Sequence, residues 1–208
     1  MNSLRKPRPL PPVTGMDDTP RGKLLSAAAR LFREQGFERT TVRDIAAAVG
    51  ILSGSLFHHF SSKEEILKAV MIEVIRFNTA RIETAVAGAH DPHARLRALI
   101  ACELQSIVGD TREAMAVLVH CWDSLSKPRQ AEVLALRKDY EDLWLTVLRE
   151  AAACSLVSVD PPVLRRLLAG MISWSETWFD PRGPMSFEQL VDTMLGMALR
   201  APAAETVP

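Results

Sequence analysis

The chain has 208 residues, 48% of them hydrophobic and 24% charged. That balance supports a sizeable buried core and excludes global disorder, and no apolar run reaches the ~18 residues that cross a bilayer as a helix. Three scattered cysteines, Cys102, Cys121 and Cys154, are too few for a disulfide framework and read as reduced thiols of a cytoplasmic protein. The formal net charge is zero, but residues 1–63 hold ten Lys/Arg against five Asp/Glu, a net of +5, and the remainder holds −5. A basic head on an acidic body is the asymmetry expected when one end meets phosphate.

Helical periodicity runs from Arg21 to the end with no convincing period-two stretch, which predicts an all-α fold. Residues 1–19, with Arg5, Lys6 and Arg8 among several prolines, read as a flexible basic arm. Pro20 opens a first helix with Leu24, Leu25, Ala28, Leu31 and Phe32 on one face, and Gly36 stops it. Thr41 caps a short second helix ending at Gly50, and a third is expected over 53–59. Ser62, with Glu65 three residues on, forms the capping box of a long fourth helix. Asp91-Pro92 and Asp160-Pro161 are start signals for later helices, and Gly109-Asp110 is a break. A helix is expected from about 112 to 122 and another from 126–128 onward. Ser186 with Gln189 boxes the last helix, and the tail over 201–208 reads as frayed.

The segment 40–60 carries the chemistry. It reads as helix, tight glycine turn, helix, a unit whose second helix enters the DNA major groove while the first crosses the backbone. Ser53, Gly54 and Ser55 are small enough for close approach to base edges. His58 and His59 supply donors, and Lys63 sits at a helix start that already favours an anion. Thr41, Val42, Arg43 and Phe57 complete the candidate DNA-contacting set, with Phe57 and Phe60 also expected to help fill the small domain's core. Adjacent histidines on a helix point about 100° apart, so no metal site is expected.

These residues resemble the DNA-binding domain of the tetracycline-repressor (TetR) family over about 20–70. The matching elements are Gly36-Phe37, the run from Thr40 to Ala46, Leu56-Phe57-His58-His59-Phe60, and Ser62-Lys63-Glu64-Glu65-Ile66-Leu67. Phe57 replaces the family's usual phosphate-binding tyrosine, and Leu52 stands where a serine cap is common. The resemblance implies a helix-turn-helix domain over 20–66 and a larger ligand-binding and dimerisation domain over 67–200. It implies a homodimer on a palindromic operator, with recognition helices roughly 34 Å apart, and a small-molecule effector that releases DNA.

The tryptophans fall in the second domain. Met115, Trp122, Trp144, Met171, Trp174 and Trp178 are the candidate ligand lining, with Ser124 and Arg149 as polar anchors. The stretches 168–174 and 178–186 resemble regulators of fatty-acid, sterol or aromatic-acid breakdown. That likeness implies an acyl-coenzyme A or an apolar acid as effector, with Arg165, Arg166 and Arg182 as candidates for the coenzyme phosphates. A multidrug-type sensor and a protein-interaction adaptor without DNA binding are the alternatives. An enzyme is not expected, because no nucleophile elbow, phosphate loop, zinc signature or carboxylate pair is present, and no cofactor is implied.

Overall fold

The computed structural model describes residues 19–200. The basic arm expected before Thr19 and the tail expected over 201–208 lie outside the described residues. Among those described, nine α-helices and one 3-10 turn make up the chain and there is no strand. In chain order they are α1 (Pro20–Gln35), α2 (Val42–Ala48), α3 (Ser53–Phe57), α4 (Lys63–Ala87), α5 (Pro92–Val108), α6 (Arg112–His120), the turn Trp122–Ser124, α7 (Lys127–Ala153), α8 (Pro161–Trp178) and α9 (Phe187–Ala198).

Helix starts follow local side-chain chemistry. Asp91 accepts from the Ala94 amide at 2.8 Å and Asp160 from the Val163 amide at 3.4 Å, each followed by proline in the first turn. Ser186 and Gln189 bond reciprocally, at 3.2 and 2.8 Å. At α4 only half of the expected box forms. Ser62 accepts from the Glu65 amide at 3.1 Å, but the Glu65 carboxylate turns to Lys68 and Arg129 instead. The complete second box is at α2, between Thr41 and Asp44. Between α2 and α3 the chain reverses at Gly50, whose φ of +73° is the left-handed region that favours glycine.

Two elements differ from the sequence expectation. The third helix stops at Phe57, so His58 and His59 stand in the turn beyond it. It starts where expected, at Ser53, although its N-cap, Leu52, offers no side-chain acceptor. The sixth ends at His120, and Trp122 begins a 3-10 turn rather than completing an α-helix.

Two hydrophobic cores meet along α4. The first gathers Leu25, Phe32, Ile45, Leu56 and Ile66 through Ile75, together with Ala114 and Val117 of α6, Leu125 and Val133. The second gathers Ile82 with α5, the later part of α7, α8 and α9. The division along α4 falls between Ile75 and Ile82, so the N-terminal head shares its core with α6 and the start of α7. Ion pairs reinforce the junction: Arg33 of α1 bonds Glu113 of α6 at 2.8 Å and Glu176 of α8 at 3.2 Å. Arg129 and Glu132 of α7 pair with Glu64, Glu65 and Lys68 of α4.

Candidate nucleic-acid interface and effector domain

The buried residues of α2 and α3 are Ile45, Ala46 and Leu56, which hold the pair of helices against α1 and α4. That packing leaves the rest of the motif turned outward. Thr41, Arg43, Gly54, Ser55, Phe57, His58 and His59 are exposed, and Val42 and Ser53 are half-buried. Arg43 makes no ion pair among the described residues, so its guanidinium is available to an anion. Asp44 is occupied by its own cap. The Thr41 hydroxyl and then the Thr41 amide hold its carboxyl below the usual carboxylate range, so it stays ionised. Beside α3 runs a groove of about 960 Å³ lined by Arg21, Lys23, Ser55, His59, Lys68 and Arg76 together with Glu65 and several apolar residues. This is an exposed, small-residue helix flanked by cations.

Phe57 and Phe60 part company. Phe60 is buried, whereas Phe57 is 58% exposed and contributes nothing to the core. Phe57 is the last residue of α3, and its ring faces solvent rather than the head's interior. Lys63 is also placed differently from a free phosphate ligand. Its ammonium donates to the carbonyls of Phe37 at 2.6 Å and Glu38 at 3.2 Å, and lies 4.2 Å from the Phe37 ring centroid. It ties the α1–α2 turn to the start of α4.

The six residues expected to line one ligand pocket are not brought together. Trp144 is fully buried in the second core, with its indole N–H donating to Glu103 at 3.2 Å. Trp122 packs on the first core, and its carbonyl accepts from Gln130 at 3.0 Å. Met115 lies against both cores and its sulfur accepts from Asn78 at 3.3 Å. Met171 is half-buried against the second core. Trp174 and Trp178 are 66% and 50% exposed. The inward face of α8 is Leu164, Leu168, Ile172 and Ser175, and the two tryptophans sit roughly 100° round the helix from it. They share a stripe with Val163 and Leu167, also exposed.

The expected polar anchors separate as well. Arg165 is not a surface cation for a coenzyme phosphate, because it is buried and forked onto Glu141. Arg166 and Arg149 are exposed, and Arg182 lies at the surface 3.5 Å from Asp180. Ser124 borders a cleft of about 350 Å³ between the end of α1 and α6, which also takes in Phe37, Val117, His120 and Cys121. Sequence reasoning missed the buried Glu103–Arg165 pair and the Arg81–Asn78–Asp110 cluster between α4 and α5.

A helix-turn-helix pair presenting small and basic residues, packed on a larger helical body, defines a DNA-binding transcriptional regulator. Residues 24–70 match the family described as "Bacterial regulatory proteins, tetR family", and residues 89–201 match "Tetracyclin repressor-like, C-terminal domain". The chain belongs to the TetR family of transcriptional regulators. It is 30% identical over 189 residues to the HTH-type transcriptional repressor KstR2 of Mycobacterium tuberculosis (strain CDC 1551 / Oshkosh), covering 90% of this chain and 94% of the relative. Among solved structures, the superantigen PfiT is 54% identical with a TM-score of 0.78, covering 89% of this chain and 98% of that one. The regulator AibR in complex with isovaleryl coenzyme A and operator DNA is 29% identical with a TM-score of 0.75, covering 85% and 96%. These regulators are not enzymes, and no helix among the described residues is long and apolar enough to cross a membrane.

Proposed function

We propose that the chain is a homodimeric repressor that grips a palindromic operator and lets go when an apolar, acyl-coenzyme A-type effector binds its C-terminal domain. The observation that carries this reading is the outward display of Arg43, Ser53, Gly54, Ser55, Phe57, His58 and His59 on one side of the head. Dimerisation is supported by the stripe Val163, Leu167, Trp174 and Trp178 on α8, an apolar surface that a folded monomer leaves in water. Two-fold pairing through that stripe would set two recognition helices on successive major grooves. The acyl-coenzyme A class is supported by the likeness to AibR, whose structure holds isovaleryl coenzyme A and operator DNA.

A mobility-shift titration with the DNA upstream of the chain's own coding sequence tests this. Affinity should fall on a log–log plot by about 0.9 per neutralised phosphate as salt rises, and acyl-coenzyme A should release the complex. Tight DNA binding by a proven monomer, or binding indifferent to salt, would refute it. Release by a cationic drug and not by any thioester would favour a multidrug-type sensor.

A second reading rests on the 54% identity to the superantigen PfiT. A lymphocyte-proliferation assay with the purified chain tests it, and it does not compete with the first, since Arg43, Ser55, His58 and His59 remain exposed on the head.

A further inference from the structure

Three helices of the second core meet at a buried polar cluster that the packing alone does not explain. Arg165 of α8 is 7% exposed and Glu103 of α5 is 8% exposed. The Arg165 guanidinium donates through Nε and Nη2 to both oxygens of Glu141 on α7, at 2.9 and 3.0 Å. It lies 3.6 Å from Glu103 and 4.3 Å from the Trp144 ring centroid. Its remaining nitrogen, Nη1, is buried and has no partner. Tyr140, the chain's only tyrosine, has its ring centroid 6.0 Å from the same guanidinium, and its hydroxyl is likewise buried without a partner. A buried donor without an acceptor is costly, and two around one guanidinium are rare in a finished core.

We propose that this cluster is the polar subsite of the effector, and that it takes a neutral carbonyl oxygen, of a thioester or ketone, rather than a free carboxylate. This rests on the effector-released reading above. The reason is charge. The guanidinium already faces two carboxylates, Glu141 and Glu103, and the other cation acting on Glu103, Arg137, is exposed and screened by water. Burial raises the Glu103 carboxyl above its usual range, against the attraction of Arg165 and the Trp144 bond. An incoming carboxylate would be a third acid at one buried cation. A carbonyl oxygen accepts from Arg165 Nη1 and the Tyr140 hydroxyl without adding charge. Its apolar chain would lie against Leu143 and Met171, half-buried side chains packed on the same core.

The test uses a matched pair of probes, sodium octanoate and S-ethyl octanethioate, on the full-length protein, read by tryptophan fluorescence and by release of the upstream DNA. The thioester should bind at least about tenfold more tightly than the acid, and Tyr140→Phe should weaken it about tenfold, the value of one such hydrogen bond. Tyr140→Phe removes only an unpartnered hydroxyl, so its folding and ligand-free DNA binding should match wild type. Arg165→Lys, which keeps the charge but loses the fork, should also weaken the thioester. Equal or tighter binding of octanoate, or unchanged thioester affinity in Tyr140→Phe, overturns the proposal. So does absence of thioester binding, the outcome expected if a trapped water satisfies both donors. Loss of salt-dependent DNA binding in the ligand-free wild type is a different failure, that of the regulator reading itself.

Discussion

Lys63 separates two physical roles that predict opposite measurements. If its ammonium stood free at the DNA face, Lys63→Ala would leave folding untouched and reduce the salt slope of DNA binding by about 0.9 for each phosphate it no longer neutralises. In the structure two of its three protons are committed to the carbonyls of Phe37 and Glu38, and the charge sits over the Phe37 ring. Hydrogen bonds from a charged donor are each worth about 1.5–3 kcal/mol when well buried, and a cation over an aromatic face adds ~0.5–1 kcal/mol at an exposed site. Lys63 is half-buried and water can reach part of the turn, so the low end applies, about 2 kcal/mol in total. For a chain of this size each kcal/mol moves Tm by roughly 2–4 °C, so Lys63→Ala should lower Tm by roughly 4–8 °C. Lys63→Met keeps the aliphatic stem over Phe37 and should recover a minor part. Scanning calorimetry gives the first number and mobility shifts at four or five salt concentrations give the second. A variant with wild-type Tm and a shallower salt slope would show that the lysine serves phosphate and that the turn does not need it.

Trp174→Glu places a charge in the centre of the exposed α8 stripe. It should convert a dimer to monomer in sedimentation velocity and abolish operator binding while the helical circular-dichroism signal persists. Arg33→Ala removes two partly exposed ion pairs, to Glu113 and Glu176, worth ~0.2–1 kcal/mol each. It should lower Tm only slightly but change the effector concentration that half-releases DNA, and an unchanged half-release point would remove those pairs from the coupling route. Acid should loosen the junction of head and body. The Ser126 amide lowers the pKa of Glu64, and Lys68 then Arg129 lower that of Glu65. Groups depressed in the fold add stability that is complete above the usual 4.5 and is lost as pH falls through the lowered values. Glu65→Gln should therefore flatten the loss of Tm between pH 5 and about pH 3, and an identical acid profile would contradict the assignment.

The helix starts were legible in the sequence because a cap is an interaction within three residues. Asp91-Pro92, Asp160-Pro161 and Ser186 with Gln189 act where their spacing put them. The helix-turn-helix was legible for the same reason, its turn being set by Gly50 and its buried side by Ile45, Ala46 and Leu56. The length of α3 was not: the missing cap at Leu52 shows in the sequence, but nothing in the periodicity of 53–59 announces a stop at Phe57. The facing of Trp174 and Trp178 was not legible either. Four residues apart, they share a face, but which neighbour that face meets is decided by how α8 packs on α5 and α7. The buried cluster did leave a trace. Glu103 falls four residues after Leu99 and seven after Leu96, on the apolar stripe of α5, and Arg165 falls three before Leu168 on that of α8. A charge at a stripe position is a sequence-level sign of a paired interior group.

The placement of the two cores bears on how an effector could reach the DNA-facing helices. Release of DNA requires that the ligand bind one conformation better than the other; equal affinity for both shifts nothing. A ten- to hundred-fold change in operator affinity needs about 1.4–2.7 kcal/mol of coupling. The surface pairs across the junction, from Arg33 to Glu113 and Glu176 and from Arg129 to Glu64 and Glu65, are each worth ~0.2–1 kcal/mol. Breaking two or three of them, about 0.4–3 kcal/mol, overlaps that range, but such pairs are too pliant to carry direction. The rigid link is apolar. Ala114 and Val117 of α6 and Leu125 belong to the same core as Phe32, Ile45 and Leu56 of the head. Met115, between the two, touches the second core as well. Close-packed side chains cannot slide independently, so a ligand that displaces α6 must move α1 with it. The ion pairs then set how readily that step is taken, and the packing sets its direction.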